Sequence, residues 1–355
     1  MKRITLCALL MTLFLLLSCG SGQQSVDSPN GGGAATGGNS LSSVLMDVSR
    51  SAENAFYAFL DLLSGTLGLR VTKDTNKSQV GNYFNNLGAK LGDASAELEQ
   101  VAKKSETELD KGELNKIIRS AVDSAKTTLN TLKTHLDSLK DIGDAKPVGE
   151  AASNAQGTAP TDVELKKAFN SLKGIVEEAG KVGVPKPKAG NVAVKVGNAD
   201  NKDGVKVLAA GANAGAAVGD KAAAIVAAVS GEEILASIVK SQESDADAAL
   251  AVDATAQTSA LKFARGGSDT GQLAKDVAKA AAVAGGIALR SLVKDGKLAA
   301  NNNDDDKVVQ AVGVSAVNKL LVSIEDIIKK AVKNVLEKAK EKIDKARSPK
   351  PAAQQ

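Results

Sequence analysis

The chain has 355 residues, 43% of them hydrophobic and 24% charged, with a formal net charge of +4. Charge this close to balance argues against a nucleic-acid protein, which carries a basic excess on one face. An aromatic content of 2% without tryptophan leaves little to stack on bases or sugars. Alanine, leucine, lysine and glutamate are abundant and proline numbers seven, a composition that points to an all-α protein.

Lys2 and Arg3 precede an apolar run from Ile4 to Leu17, the length of a signal-peptide core and too short to span a bilayer comfortably. Leu16-Leu17-Ser18-Cys19 then reads as a lipobox, with a leucine three residues before the cysteine and a small residue one before it. The thiol is needed for a thioether to diacylglycerol, and the amine freed by cleavage can take a further acyl chain. One chain anchors marginally and two anchor stably. Residues 1–18 are therefore expected to be removed, with Cys19 lipidated as the first residue of the mature chain. Cys7 leaves with the signal and lipid consumes Cys19, so no thiol remains for a disulfide or a thiolate site. Loss of Lys2 and Arg3 lowers the net charge to +2.

Residues 19–40 are rich in Gly, Ser, Gln and Asn without a hydrophobic period, and read as a flexible tether. Residues 41–347 read as a single helical domain, and 348–355 as a frayed tail after Arg347. Within the domain, Leu41 to Leu67 is the first helical stretch, with Phe56, Tyr57 and Phe59 expected to seed the core. Helices follow over about Ser78–Lys103 and Leu114–Leu139, the latter with Ile117, Ile118 and Val122 turned inward. Thr161-Asp162-Val163-Glu164 has capping-box spacing and opens a helix to about Ala179.

Gly180 to Asp220 changes character. Prolines and glycines interrupt short runs such as Val192-Ala193-Val194, which predicts long irregular loop with at most short helices, any strand-like runs lacking partners. Ser241–Asp269 and Asn301–Asp306 read the same way. Between them, Ser230-Gly231-Glu232-Glu233 is a second capping box, opening a short helix through Val239. Gln272 to Lys294 is predicted as one helix, apolar on nearly every side from Ala278 to Leu289 and hence buried. Lys307 to Ala346 is a long amphipathic helix with a lysine-rich polar face, which reads either as a solvated face or as one drawn to anionic lipid.

Chemistry is scarce. The single histidine, His135, reads as a solvated or partly packed helix residue rather than a base or a metal ligand. Gly266 to Leu273 has the glycine spacing of a phosphate-binding loop but places Gln272 and Leu273 where Lys and Ser or Thr are required. Asp304-Asp305-Asp306 lacks the glycine and closing glutamate of an EF-hand and offers at most a weak surface calcium contact. Carboxylate pairs of the glycosidase kind stay open, although no aromatic cleft accompanies them.

Ser230 to Leu235, and above all Ile287-Ala288-Leu289-Arg290 followed by Lys294-Asp295-Gly296-Lys297, resemble the shared segments of the variable large proteins of relapsing-fever Borrelia. They are similar too to the related Vls surface antigen of Lyme disease spirochaetes. The lipobox, the order of segments and the Lys-rich terminal helix agree, so the resemblance spans the mature chain. It implies an elongated, lipid-anchored helical bundle with long irregular surface loops, terminal helices near the membrane and variable segments distal. It implies no catalysis and no cofactor. Its partners would be outer-membrane lipid through acylated Cys19, and host antibodies evaded by antigenic variation at the cell surface. Gly180–Asp220, Ser241–Asp269 and Asn301–Asp306 would be the variable surface, and Gln272–Ala299 shared and buried. The alternative is an adhesin that binds host glycosaminoglycan or protein through the lysine-rich surface. Oligomeric state stays open.

Overall fold

The computed structural model describes residues 67–105, 113–196, 199–301 and 303–347. The expectations for Cys19, the tether, Phe56, Tyr57, Phe59 and the tail fall outside the described residues.

Helix α1 (Lys77–Ser105) and helix α2 (Glu113–Ser138) form a hairpin. Val80, Phe84, Leu87, Leu91, Leu98 and Val101 recur every three, four or seven residues along α1, and each is buried. The matching row on α2 is Ile118, Val122, Ala125, Leu129, Leu132 and Leu136. Ile117, expected to face inward, lies at the edge of that stripe and is 36% exposed. On the solvent side of α2 the hydroxyls of Ser124, Thr127, Thr131, Thr134 and Ser138 donate to carbonyls four residues back.

A two-residue strand β1 (Ala151–Ala152) leads to helix α3 (Asp162–Lys181), which buries Leu165, Phe169, Leu172 and Ile175. Thr161 caps α3 through the Glu164 amide at 3.4 Å. The reciprocal half of the expected capping box is replaced, since Glu164 reaches Lys294 at 2.8 Å. A short antiparallel ladder of β2 (Lys195–Val196) and β3 (Ala199–Asp200) follows, then a 3₁₀ segment Lys202–Leu208 and helix α4 (Gly219–Ala227). Helix α5 (Gly231–Val239) opens with the complete capping box of Ser230 and Glu233.

Ser241–Asp269, expected to hold at most short helices, contains the six-residue helix α6 (Ala260–Arg265), whose Leu261, Phe263 and Ala264 are fully buried. Gln272–Lys294, expected as one helix, is not. A short helix α7 (Thr270–Leu273) stops, and helix α8 (Ala280–Leu292) begins after a turn-containing stretch over 274–279. That stretch pairs with the run read as partnerless. The Val194 amide donates to the Ala278 carbonyl, and the Ala280 amide to that of Val192, both at 2.8 Å. Main-chain groups engaged across 80-odd residues cannot also serve an uninterrupted helix. Strand β4 (Leu298–Ala299) pairs in parallel with β1.

Helix α9 (Asn303–Arg347) ends the described chain and packs on α2, α4, α5 and α8. Val309, Ala316, Leu320, Ile324, Ile328, Val332, Val335 and Ile343 form its buried stripe. Most of Asn301–Asp306, expected as loop, is the first turn of this helix, with Asp304, Asp305 and Asp306 at its positive end. Residues 67–71 lie against α9, where Asn318 exchanges hydrogen bonds with the Val71 backbone at 2.8 and 2.9 Å.

Candidate functional surface

Helix α8 is the floor. All of its residues from Ala280 to Leu292 are buried. Gly285 and Gly286 let α6 approach closely: a Cβ on Gly286 would meet the Cβ of Phe263 at 2.6 Å, and one on Gly285 the Cβ of Ala260 at 2.8 Å. Above this floor lie the segments between Val182 and Val218 and between Lys240 and Lys279. Their exposed positions include Lys186, Lys188, Asn213, Ala216, Asp247, Val252, Ser268 and Val277.

These segments are stapled to one another by main-chain hydrogen bonds. Ala210 donates to the Gly267 carbonyl at 2.9 Å, Leu250 to that of Gly266 at 2.6 Å and Ala254 to that of Gln272 at 2.8 Å. Gly266 is where the backbones crowd: its φ is +61°, and a Cβ there would sit 1.9 Å from the Leu208 oxygen. The glycines that imitate a phosphate-binding loop therefore serve a crossing of chain segments.

Buried charges hold the loop roots. Arg290 of the Ile287–Arg290 motif is fully buried, yet its hydrogen-bond partners are carbonyl oxygens. Nε and Nη2 donate to Ala264 at 3.0 and 2.7 Å, and Nη1 donates to Ala209 at 2.8 Å. Those carbonyls end α6 and the 3₁₀ segment, where orphan acceptors and the negative helix dipole collect. Burial and the neighbouring Arg265 push the Arg290 pKa down to about 9, so the guanidinium stays charged at neutral pH. Lys319 on α9 does the same for α4, donating to the carbonyls of Val226 and Val229 at 2.8 and 2.5 Å. Lys77, also fully buried, donates to the Gly296 carbonyl at 2.6 Å and pins the Lys294–Lys297 turn to the start of α1.

Asp305 works with the opposite sign. One carboxylate oxygen accepts from the amides of Val218 and Gly219 at 3.0 and 2.8 Å, and the other from that of Asn301 at 2.8 Å. Val218 has no side-chain oxygen to cap α4, so α9 supplies the cap from 87 residues away. Sequence reading missed Asp305 and Lys319 as positioning residues. A run of three aspartates before an apolar period was the available signal for a helix start, but its reach to another helix has no local signature.

Little reactive chemistry accompanies this architecture. Among the described residues no group of three or more His, Cys, Asp or Glu could hold a metal ion. No single helix among them is long and apolar enough to cross a membrane. His135 lies over Gly174 of α3, where a Cβ would meet its ring at 2.2 Å. Burial lowers its pKa, against the opposing pull of Glu178 and Glu177. It is a packed helix residue, as read.

Fold and surface together define a class: a helical body whose interior is fixed by long helices and which carries loop segments on its surface. A family model described as Borrelia lipoprotein matches residues 52–343, and the chain belongs to that family. Variable large protein 25 of Borrelia hermsii is 71% identical over 347 residues, covering 97% of this chain and 96% of the relative. Variable large protein 18 of the same organism is 61% identical, with 98% and 96% covered. Variable large protein 12 is 29% identical, yet the match still covers 96% of this chain and 92% of that one. Among solved structures, the variable surface antigen VlsE of Borrelia burgdorferi has the same fold. Its TM-score is 0.66 at 24% identity, covering 86% of this chain and 99% of that one. By its description the family is one of lipoproteins.

Proposed function

We propose that this chain is an outer-surface lipoprotein of the bacterial outer membrane that evades host antibody by antigenic variation. The observation that carries the reading is the division of labour within the fold. Every residue of α8 is buried, while exposure concentrates in loops held by main-chain bonds and by charges from long helices. Substitutions at exposed positions away from such features usually stay within about 0.5 kcal/mol. Loop sequence can then change while the core keeps its shape. The relatives fit this reading, since identity falls from 71% to 29% while the matched length hardly changes.

In this reading Cys19 carries the lipid that holds the body at the membrane, host antibodies are the partners met outside, and the protein catalyses nothing. The lysine-rich face of α9 gives the adhesin alternative little support, because Lys333 and Lys345 are matched by Glu337 and Glu341 at 3.7 and 2.6 Å. Protease treatment of intact cells tests display directly. The chain should be shaved from living cells, and a Cys19→Ala variant should fail to incorporate labelled fatty acid. Full protection of the chain on intact cells would contradict surface exposure.

A further inference from the structure

Loop 210–217 joins the 3₁₀ segment to α4 within the span expected to vary. Gly211, Asn213, Gly215, Ala216 and Ala217 are exposed, and only Ala214 is fully inserted. The residue before the loop, Ala209, offers its carbonyl to Arg290 at 2.8 Å. The two residues after it, Val218 and Gly219, offer their amides to Asp305. Both gripping side chains are buried, at 0% and 6% exposure, and both come from the rigid helices α8 and α9. Both grip main-chain atoms, which are present whatever side chains the loop carries.

We propose that Arg290 and Asp305 form a charged bracket that positions the two ends of loop 210–217 through main-chain atoms, whatever side chains stand at Ala216 and Ala217. The inference rests on the antigenic-variation reading for its biological purpose, but its physical content does not depend on it. A carbonyl at the end of one segment meets a cation, and the two free amides that open α4 meet an anion. Arg290 also holds Ala264 and Asp305 also holds Asn301, so the bracket ties the loop's ends to neighbouring segments. Within the loop, Gly211 and Ala212 exchange main-chain bonds with Gly157, and Asn213 Oδ1 accepts from the Gly215 amide. The same geometry explains why the Ile287–Arg290 motif ends in an arginine: its planar fork can serve two carbonyls on different segments, which the point charge of a lysine does less well. Gly211 and Gly215, with φ of +77° and +76°, mark where the loop backbone does restrict side chains.

Amide hydrogen exchange on the full mature chain tests the bracket, with the α1–α2 hairpin as an internal control. Asp305→Ala should speed exchange at Val218 and Gly219 by about tenfold or more, the loss of one charge-assisted hydrogen bond. Asp305→Asn, which keeps one acceptor oxygen, should fall between. Arg290→Lys should speed exchange at Ala210 and Gly211 in the same way. The triple variant Asn213→Asp, Ala216→Glu, Ala217→Lys, which keeps the side-chain oxygen that accepts from the Gly215 amide at 3.0 Å, should match the parent at all four amides and in thermal midpoint. The bracket is overturned if the triple variant loosens the loop ends as much as Asp305→Ala does. It is also overturned if Asp305→Ala leaves Val218 and Gly219 protected, or loosens α1–α2 equally. No antibody enters the measurement, so its failure is separate from a failure of the antigenic reading.

Discussion

His135 is the chain's one histidine, and its ring is wedged between α2 and Gly174 of α3. Burial is the leading cause of its depressed pKa, so the folded state prefers the neutral ring. The stability this contributes is complete above the unfolded value near 6.5 and is lost as pH falls through and below it. Carboxylates with lowered pKa, such as Glu99 and Asp203 at about 2, titrate well below that window. Urea midpoints measured between pH 7.5 and 5 should therefore decline, and a His135→Gln variant should flatten the decline. Glycines give a second test at this scale. Gly286→Ala drives a methyl into Phe263 and the Ala264 backbone and should cost about 1–3 kcal/mol. Gly180→Ala, in the last turn of α3 with nothing within 4 Å of the new methyl, should be neutral or stabilise by up to about 1 kcal/mol. Equal effects in chemical denaturation would refute the close approach of α6 to α8.

Among elements, the two capping boxes differ. Ser230 and Glu233 satisfy each other's amides at 3.2 and 2.7 Å, whereas Thr161 reaches the Glu164 amide at only 3.4 Å and Glu164 turns to Lys294. Ser230→Ala should cost about 1 kcal/mol and Thr161→Ala about half of that or less, measured by urea unfolding. The amphipathic helices α1, α2, α3 and α9 were legible because a stripe such as Val80, Phe84, Leu87 and Leu91 has one physical meaning at helical spacing. The buried status of α8 was legible from its apolar circumference. The interruption before it was not: Lys275 to Lys279 has helical composition, and it is the distant Val192–Val194 run that takes the Ala278 carbonyl and the Ala280 amide away from a continuous helix. Phe263 escaped notice because α6 is six residues long, too short for a period to emerge. Of the candidate surface, the loops at 184–200 and 210–217 were visible through their glycines and prolines. What holds them was not, because Arg290, Lys319 and Asp305 act on backbone atoms far away in sequence, and such partners leave no motif.

For the molecule, the proposed function assigns stability and recognition to different residues. Leu132, Ile287, Leu321 and Ile328 are enclosed, whereas Asn213, Ala216, Asp247 and Val252 face solvent on segments whose main chain is already bound. A change of antigenic face therefore need not pass through a less stable fold. Serum absorption tests this separation most directly. Antibodies raised by cells displaying this protein would be absorbed with the parent body, and with a variant whose exposed residues in 184–217 and 247–258 are replaced. The variant is expected to unfold at the parent's temperature and to leave most surface-binding antibody unabsorbed. A variant that keeps the fold yet absorbs the antibody as completely as the parent would contradict the account.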